Sequence, residues 1–273
     1  MGIVLITNNS DRGQALAHLI QRSGLNLKLV VVEDPGLVPG SQGLILHRIR
    51  AILGPTYRML RAFLKLNSAQ RAALRYEEES IKRAEAVVKR FIADLNVHGR
   101  PEGIDYLETP SLNEATVVTA ISKLEPDLCV VMGTSIIKPR IIAIPKLGTI
   151  NAHTSLLPEY RGSRSEFWQC YNQNYDHAGV TLHLIDKGVD TGSILFQQKQ
   201  AVNGMPDPNM MRAENTKTVL LNYVSVIRSV LDGTARPQIQ GPCTTPTYRF
   251  RDITEDKRIK LYSRILKSGT SSS

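Results

Sequence analysis

Cysteine is scarce in this chain of 273 residues and odd in number: Cys129, Cys170 and Cys243 share no metal-type spacing. A reducing, cytoplasmic setting suits them better than a disulfide framework and is expected. Long apolar runs are missing too. The stretch at 29–32 is closed by Lys28 on one side and by Glu33 and Asp34 on the other, far short of the ~20 residues a bilayer span needs. The N-terminal apolar residues give way at once to Asn8, Asn9, Ser10 and Asp11, so no export leader is expected and no membrane partner either. The 14 prolines and 19 glycines are too few for a low-complexity chain. The first strand-to-helix turn, Thr-Asn-Asn-Ser-Asp-Arg-Gly at 7–13, has no G-x-G-x-x-G, which leaves dinucleotide binding weakly supported. His18, His47, His98 and His177 show no ligand pairing, and no metal is expected.

What is present is a globular composition, 42% hydrophobic and 22% charged, in a length that suits one elaborated domain better than two. Residues 2–7 read as a strand, 12–23 as a helix with Leu16, Leu19 and Ile20 on one side, and 27–32 as a strand buried on both faces. A long stretch, about 44–100, is helical, breaks at Gly54-Pro55 and restarts near Ser68, the expected N-cap; it reads as a helical insertion. Strand and helix signals then alternate through 104–107, 112–124, 128–132, 149–152, a short helix within 162–172, and a strand pair at 180–185 and 194–198. One helix at 209–231 closes the pattern. The expectation is an α/β fold with an open, mostly parallel sheet flanked by helices, a helical insertion and a C-terminal helix. Residues 1–202 form the catalytic domain in this reading, and 203–273 a helix and tail packed on it.

The net charge of +9 is concentrated. Residues 47–100 carry twelve Lys and Arg against five Asp and Glu, and 48–75 hold seven basic residues and no acidic one. Such a surface attracts phosphates, although a solvated helical face explains it equally well. Nucleic acid is disfavoured as a partner, because Tyr57 and Phe63 are the only aromatics available there for stacking before Tyr76.

Chemistry is concentrated in two stretches. Asn151-Ala-His153-Thr-Ser155-Leu-Leu-Pro158-Glu-Tyr160-Arg161-Gly162 leaves a buried strand and turns, so Asn151 and His153 project to one face at the strand's C-terminal end, where open α/β sheets bind ligands. Gly179-Val-Thr181-Leu-His183 leads to Gly188-Val189-Asp190-Thr-Gly192, which puts a carboxylate in a glycine-bounded loop. An amide donor, an imidazole and a carboxylate together make a minimal acyl-transfer set.

These motifs, in this order and with 39 residues between Asn151 and Asp190, resemble those of the folate-dependent formyltransferases, the family of glycinamide ribonucleotide transformylase, methionyl-tRNA formyltransferase and the sugar N-formyltransferases. The resemblance covers about 127–202 well and the opening strand and helix loosely; it does not cover the insertion. It implies a Rossmann-like catalytic domain, N10-formyltetrahydrofolate as co-substrate and an amine as acceptor. By the same resemblance Asn151, His153 and Asp190 are catalytic, with Thr181 and His183 supporting them, although a histidine placed within a strand, as His183 is, is more often a hydrogen-bonded structural one. Thr134, Ser135, Ile136 and Ile137 fall where the family wraps backbone around the pterin, and Asp186, Lys187, Gly188 and Val189 on its other folate loop; an ordinary turn competes at Thr134 and Ser135. Asn151 and a charged His153 are the expected oxyanion donors, with Asp190 holding the imidazolium and relaying a proton through water.

The expected acceptor is a small amine, with phosphorylated ones included. The run Tyr160-Arg-Gly-Ser-Arg164-Ser-Glu166-Phe-Trp168 favours a nucleotide-linked amino sugar, ahead of hydroxyornithine or another secondary-metabolite amine and glycinamide ribonucleotide. Initiator tRNA is disfavoured because about seventy residues follow Val202 and half of them read as one helix. A non-catalytic nucleic-acid-binding protein is the alternative of another class, and a homodimer is compatible with either.

Overall fold

In the computed structural model, residues 1–37 and 66–270 are described. Seven strands, β1 (Gly2–Asn8), β2 (Asn26–Glu33), β3 (Asp105–Thr109), β4 (Leu128–Met132), β5 (Thr149–His153), β6 (Gly179–Leu184) and β7 (Ile194–Lys199), form one sheet in the order β3-β2-β1-β4-β5-β6-β7. The pairs from β3 to β5 are parallel, and β6 and β7 are antiparallel additions. Strand order reverses between β1 and β4, which makes that crevice the topological switch point.

Alternation along the strands decides the layers. Ile3, Leu5, Val30 and Val32 face one apolar cluster, Val4, Ile6, Leu29 and Val31 the other, as residues i and i+2 of a strand must. The first cluster is closed by α1 (Asp11–Arg22), α2 (Ser68–Asp94) and α6 (Pro208–Leu231); α3 (Ala115–Leu124) and the short α4 (Pro139–Ile142) cover the second. A third cluster gathers Tyr160, α5 (Ser165–Asn172) and α7 (Glu255–Thr270) around Phe167, Trp168, Leu261 and Tyr262. The Tyr223 hydroxyl of α6 lies 2.7 Å from the Val131 carbonyl and 3.0 Å from that of Ile150, tying this helix to the two strands that lead into the site.

Three particulars differ from the sequence reading. The N-cap of α2 is Asn67, not Ser68: Asn67 Oδ1 accepts from the Gln70 amide at 2.9 Å, and Gln70 Oε1 accepts from the Asn67 amide at 2.9 Å, a reciprocal capping box that a serine one residue later has no geometry to make. Helix α2 is also part of the main layer, since Ala84, Val88 and Ile92 enter the first cluster. Finally, α7 is a second C-terminal helix. Its apolar residues Ile259, Tyr262 and Ile265 repeat at helical spacing, and Arg258 locks it to α2 through Glu77, with Nε at 2.9 and 2.7 Å from the two carboxylate oxygens. The greater part of the basic stretch, residues 48–65, lies outside the described residues. No helix among the described residues is long and apolar enough to cross a membrane.

Candidate active site

Asn151 and His153 end β5 and share one face. In the antiparallel register with β6, Asn151 stands opposite His183 and His153 opposite Thr181, so all four polar side chains come together at the same sheet end. Asp190 arrives from the loop between β6 and β7 with φ +52°, a left-handed conformation that Asp tolerates better than most residues. Gly192 is required just beyond it, since a Cβ there would lie 1.8 Å from the Leu184 carbonyl oxygen.

The Asp190 carboxylate is the hub. Its Oδ2 is 3.4 Å from His153 Nδ1 and accepts from the Gly162 amide at 2.8 Å, while Oδ1 is 3.5 Å from His183 Nε2. Burial alone would raise this carboxyl; the attraction of His153, the bond and charge of His183, and the Gly162 amide together hold it well below the usual carboxylate range. His153 Nε2 donates to the Tyr160 carbonyl at 2.9 Å. A carbonyl only accepts, so both nitrogens of this ring face acceptors and the arrangement suits an imidazolium. His183 Nδ1 donates to the Leu184 carbonyl at 2.8 Å, and its Nε2 lies 3.3 Å from Asn151 Nδ2. Thr181 works on the backbone instead: it donates to the Ser155 carbonyl at 2.6 Å and accepts from the Leu157 amide at 3.1 Å, fixing the loop that follows β5.

The expected folate loops are less uniform. Ser135 uses both its amide and its hydroxyl on Glu33, at 2.8 and 2.6 Å, and Ile137 is buried in the second apolar cluster; neither side chain is free for a ligand. Thr134 donates its hydroxyl to the Ser135 carbonyl at 3.0 Å. Ile136 is 82% exposed beyond β4, and Val189 49% exposed beside Asp190. Asp186 Oδ1 accepts from the Gly188 amide at 3.0 Å and from the Thr191 hydroxyl at 2.5 Å, shaping its own turn, and Lys187 is exposed at that turn. Glu33 and Asn113 are residues the sequence reading missed. Asn113 accepts from the Lys138 amide and donates to the Ile136 carbonyl, both at 2.8 Å, bracing the same loop.

A second electrostatic feature lies where α1, α5 and α6 meet. Arg12 in the first turn of α1 and Arg164 at the start of α5 both have lowered pKa values, first through burial and then through repulsion from Arg212 of α6. Glu166, 2% exposed, offsets part of this for both, and Glu85 and Asp11 do so for Arg12 from exposed positions. None of the three arginines is in an ion pair within 4.0 Å of a carboxylate among the described residues. Elsewhere, burial pushes the Cys129 thiol up to about 12 and raises Cys170, which excludes both as resting thiolates near neutrality. Among the described residues no group of three His, Cys, Asp or Glu could hold a metal ion.

The family model for formyl transferases matches residues 67–224. Methionyl-tRNA formyltransferase of Thermodesulfovibrio yellowstonii is 35% identical over 159 residues, 58% of this chain and 48% of that one. The Cyanothece sp. protein of the same name is 30% identical over 155 residues, 56% and 42%. The chain thus spans less than half the length of these curated relatives. Among solved structures, a sugar N-formyltransferase from a Shewanella species aligns with TM-score 0.59 at 12% identity, covering 96% of this chain and 87% of that one. An N-formyltransferase from Helicobacter canadensis, in complex with folinic acid and dTDP-3-aminofucose, gives 0.55 at 15%, covering 98% and 82%. Glycinamide ribonucleotide transformylase 1 from Symbiobacterium toebii gives 0.54 at 17%, covering 88% and 94%. Identities this low carry the fold and nothing finer.

Proposed function

Because the chain belongs to the formyl transferase family, we propose that it moves a formyl group from N10-formyltetrahydrofolate to the amine of a nucleotide-linked amino sugar. The observation that carries the reading is the chain of contacts running from Asn151 through His183 and Asp190 to His153 at the end of β5. A neutral amine attacks the formyl carbon, negative charge develops on the formyl oxygen, and pre-placed donors lower the barrier.

In this reading the residues divide the work. Asn151 keeps an amide N–H beyond its contact with His183 and is the direct donor to the oxygen. His153 has Nε2 engaged with the Tyr160 carbonyl, so in this conformation it acts by its charge rather than by a second hydrogen bond. Asp190 is a poor resting base because its carboxyl is held so low. Its main role is to keep His153 charged; relay of the amine proton to the departing N10 through a water needs only transient occupancy of the carboxylate. Turning the pterin towards Asn151 falls to the backbone around Thr134–Ile137 and to the 186–189 turn, with Ile136 and Val189 offering apolar surface.

For the acceptor, the three arginines Arg12, Arg164 and Arg212 supply the electrostatic argument: cations crowded together without an ion-pair partner favour a phosphate among them. The test is a panel of amines, nucleotide-linked amino sugars, glycinamide ribonucleotide and hydroxyornithine among them, incubated with N10-formyltetrahydrofolate. A product heavier by one CO, formed from the amino sugar alone, is expected. Release of formate without any acceptor being modified would overturn it.

A further inference from the structure

Residues 238–248 have no helix and only two isolated bridges to the rest of the fold, Ile194 with Gln238 and Gly162 with Tyr248. They lie C-terminal to the 67–224 region that the family model covers, yet they run along the catalytic loops. The Gln240 side chain makes three bonds there: Nε2 donates to the carbonyls of Asp190 and Gly192 at 2.9 and 2.7 Å, and Oε1 accepts from Arg161 Nη2 at 2.7 Å. One amide therefore staples the backbone on either side of the carboxylate to the loop whose Gly162 amide binds that carboxylate. A few residues on, the buried Glu159 carboxylate accepts from the Thr244 and Thr245 amides, each at 2.8 Å. Thr245 Oγ1 accepts from the Tyr160 amide at 2.8 Å, on the residue whose carbonyl receives His153. Tyr248 finishes the clamp: its amide donates to the Arg161 carbonyl at 2.9 Å, and its ring stacks on Tyr160 and Trp168 at 5.4 and 4.7 Å.

We propose that 238–248 is a strap belonging to the active site, and that Gln240 is a positioning residue which sets the distance between Asp190 and His153. Both catalytic loops lack regular structure, and Asp190 sits in a left-handed conformation that its own backbone does not favour. Bonds from outside the loop must therefore hold it. Gln240 supplies them at the Asp190 and Gly192 carbonyls, where only a donor serves. Once these are lost the loop can relax towards ordinary φ, and the carboxylate withdraws from the imidazole. The strap rests on the proposed chemistry for its effect on rate, but not for its effect on the loop.

Gln240→Glu tests it. The shape is kept and so is an acceptor for Arg161, while both N–H donors are replaced by an oxygen that repels the two carbonyls. The expected result is a fall in kcat of about tenfold or more with the formyl-donor KM unchanged, and a smaller effect of the same substitution in an Asp190→Asn background, because Gln240 acts through Asp190. Hydrogen exchange read by mass spectrometry is expected to quicken in peptides containing 159–163 and 186–192, with the melting transition of the rest of the fold retained. A packing role alone predicts the opposite: wild-type kcat and exchange for Gln240→Glu, and damage only for Gln240→Ala. Unchanged exchange at the two loops, or losses fully multiplicative with Asp190→Asn, overturns the proposal. Should the wild-type chain formylate no amine, the functional reading fails, and the exchange measurement still decides whether the strap holds Asp190.

Discussion

Asp190→Asn separates charge from shape at the hub of the site. An asparagine oxygen in the place of Oδ2 still accepts from the Gly162 amide and from His153 Nδ1, and Asn tolerates φ +52° as well as Asp does, while the NH2 in the place of Oδ1 loses the acceptor that faces His183 Nε2. What disappears is one negative charge 3.4 Å from the imidazole, with His153 6% and Asp190 14% exposed. At an effective dielectric of about 20 that attraction is about 5 kcal/mol. Desolvation of the pair returns part of it, leaving about 3–4 kcal/mol, or a fall in kcat of about 10²–10³-fold. The assay is formyl transfer at saturating donor and acceptor, with the product confirmed by mass and the fold by its melting transition. A kcat close to wild type would refute the claim that this charge sustains the imidazolium. Stability provides a second reading. The carboxyl is held below its ordinary value of 3.8, so its contribution is complete above that value and is lost as pH falls through the folded one. The difference in urea stability between wild type and Asp190→Asn should therefore be full at neutral pH and begin to close only below about pH 4.

Arg164→Ala and Arg212→Ala should each raise the acceptor KM and weaken its dependence on salt, leaving the donor KM alone; initial rates at low and high ionic strength check this, and an unchanged acceptor KM at low salt counts against the phosphate subsite. Glu33→Gln should do the reverse, raising the donor KM several-fold through loss of charge-assisted bonds to Ser135, with the acceptor KM unmoved. Asn67→Ala removes the capping box of α2 and should lower stability by about 1 kcal/mol in denaturant melts without altering kcat.

The strands and the central site were legible because their signals are local. Alternating burial in β1 and β2, the i, i+2 placement of Asn151 and His153, and the glycines around Asp190 are all written within a few residues of where they act. The antiparallel step from β5 to β6 then brings Thr181 and His183 opposite the first two, where the family resemblance had put them. Glu33 was hidden for a different reason: at the end of an apolar strand it reads as the strand's polar boundary, and its bonds to Ser135 span a hundred positions. Arg12, Arg164 and Arg212 stand far apart in the chain, so nothing local in the sequence groups them.

Gln240 marks the limit of that kind of reading most sharply. A glutamine in an irregular Gly-Pro-Cys-Thr-Thr-Pro stretch has no periodicity, and nothing nearby in sequence says that its amide is needed at residues 190 and 192. Yet those bonds are what a left-handed Asp190 requires, because a loop free to choose its own φ would not keep a carboxylate against His153. The groups proposed to react lie close together in the chain; in the proposed strap, the distance between Asp190 and His153 depends on a segment fifty residues away, between α6 and α7. Changes in 238–248 should consequently alter rate before they alter fold, whereas changes in α7 that loosen Tyr262 or Leu261 should do both at once.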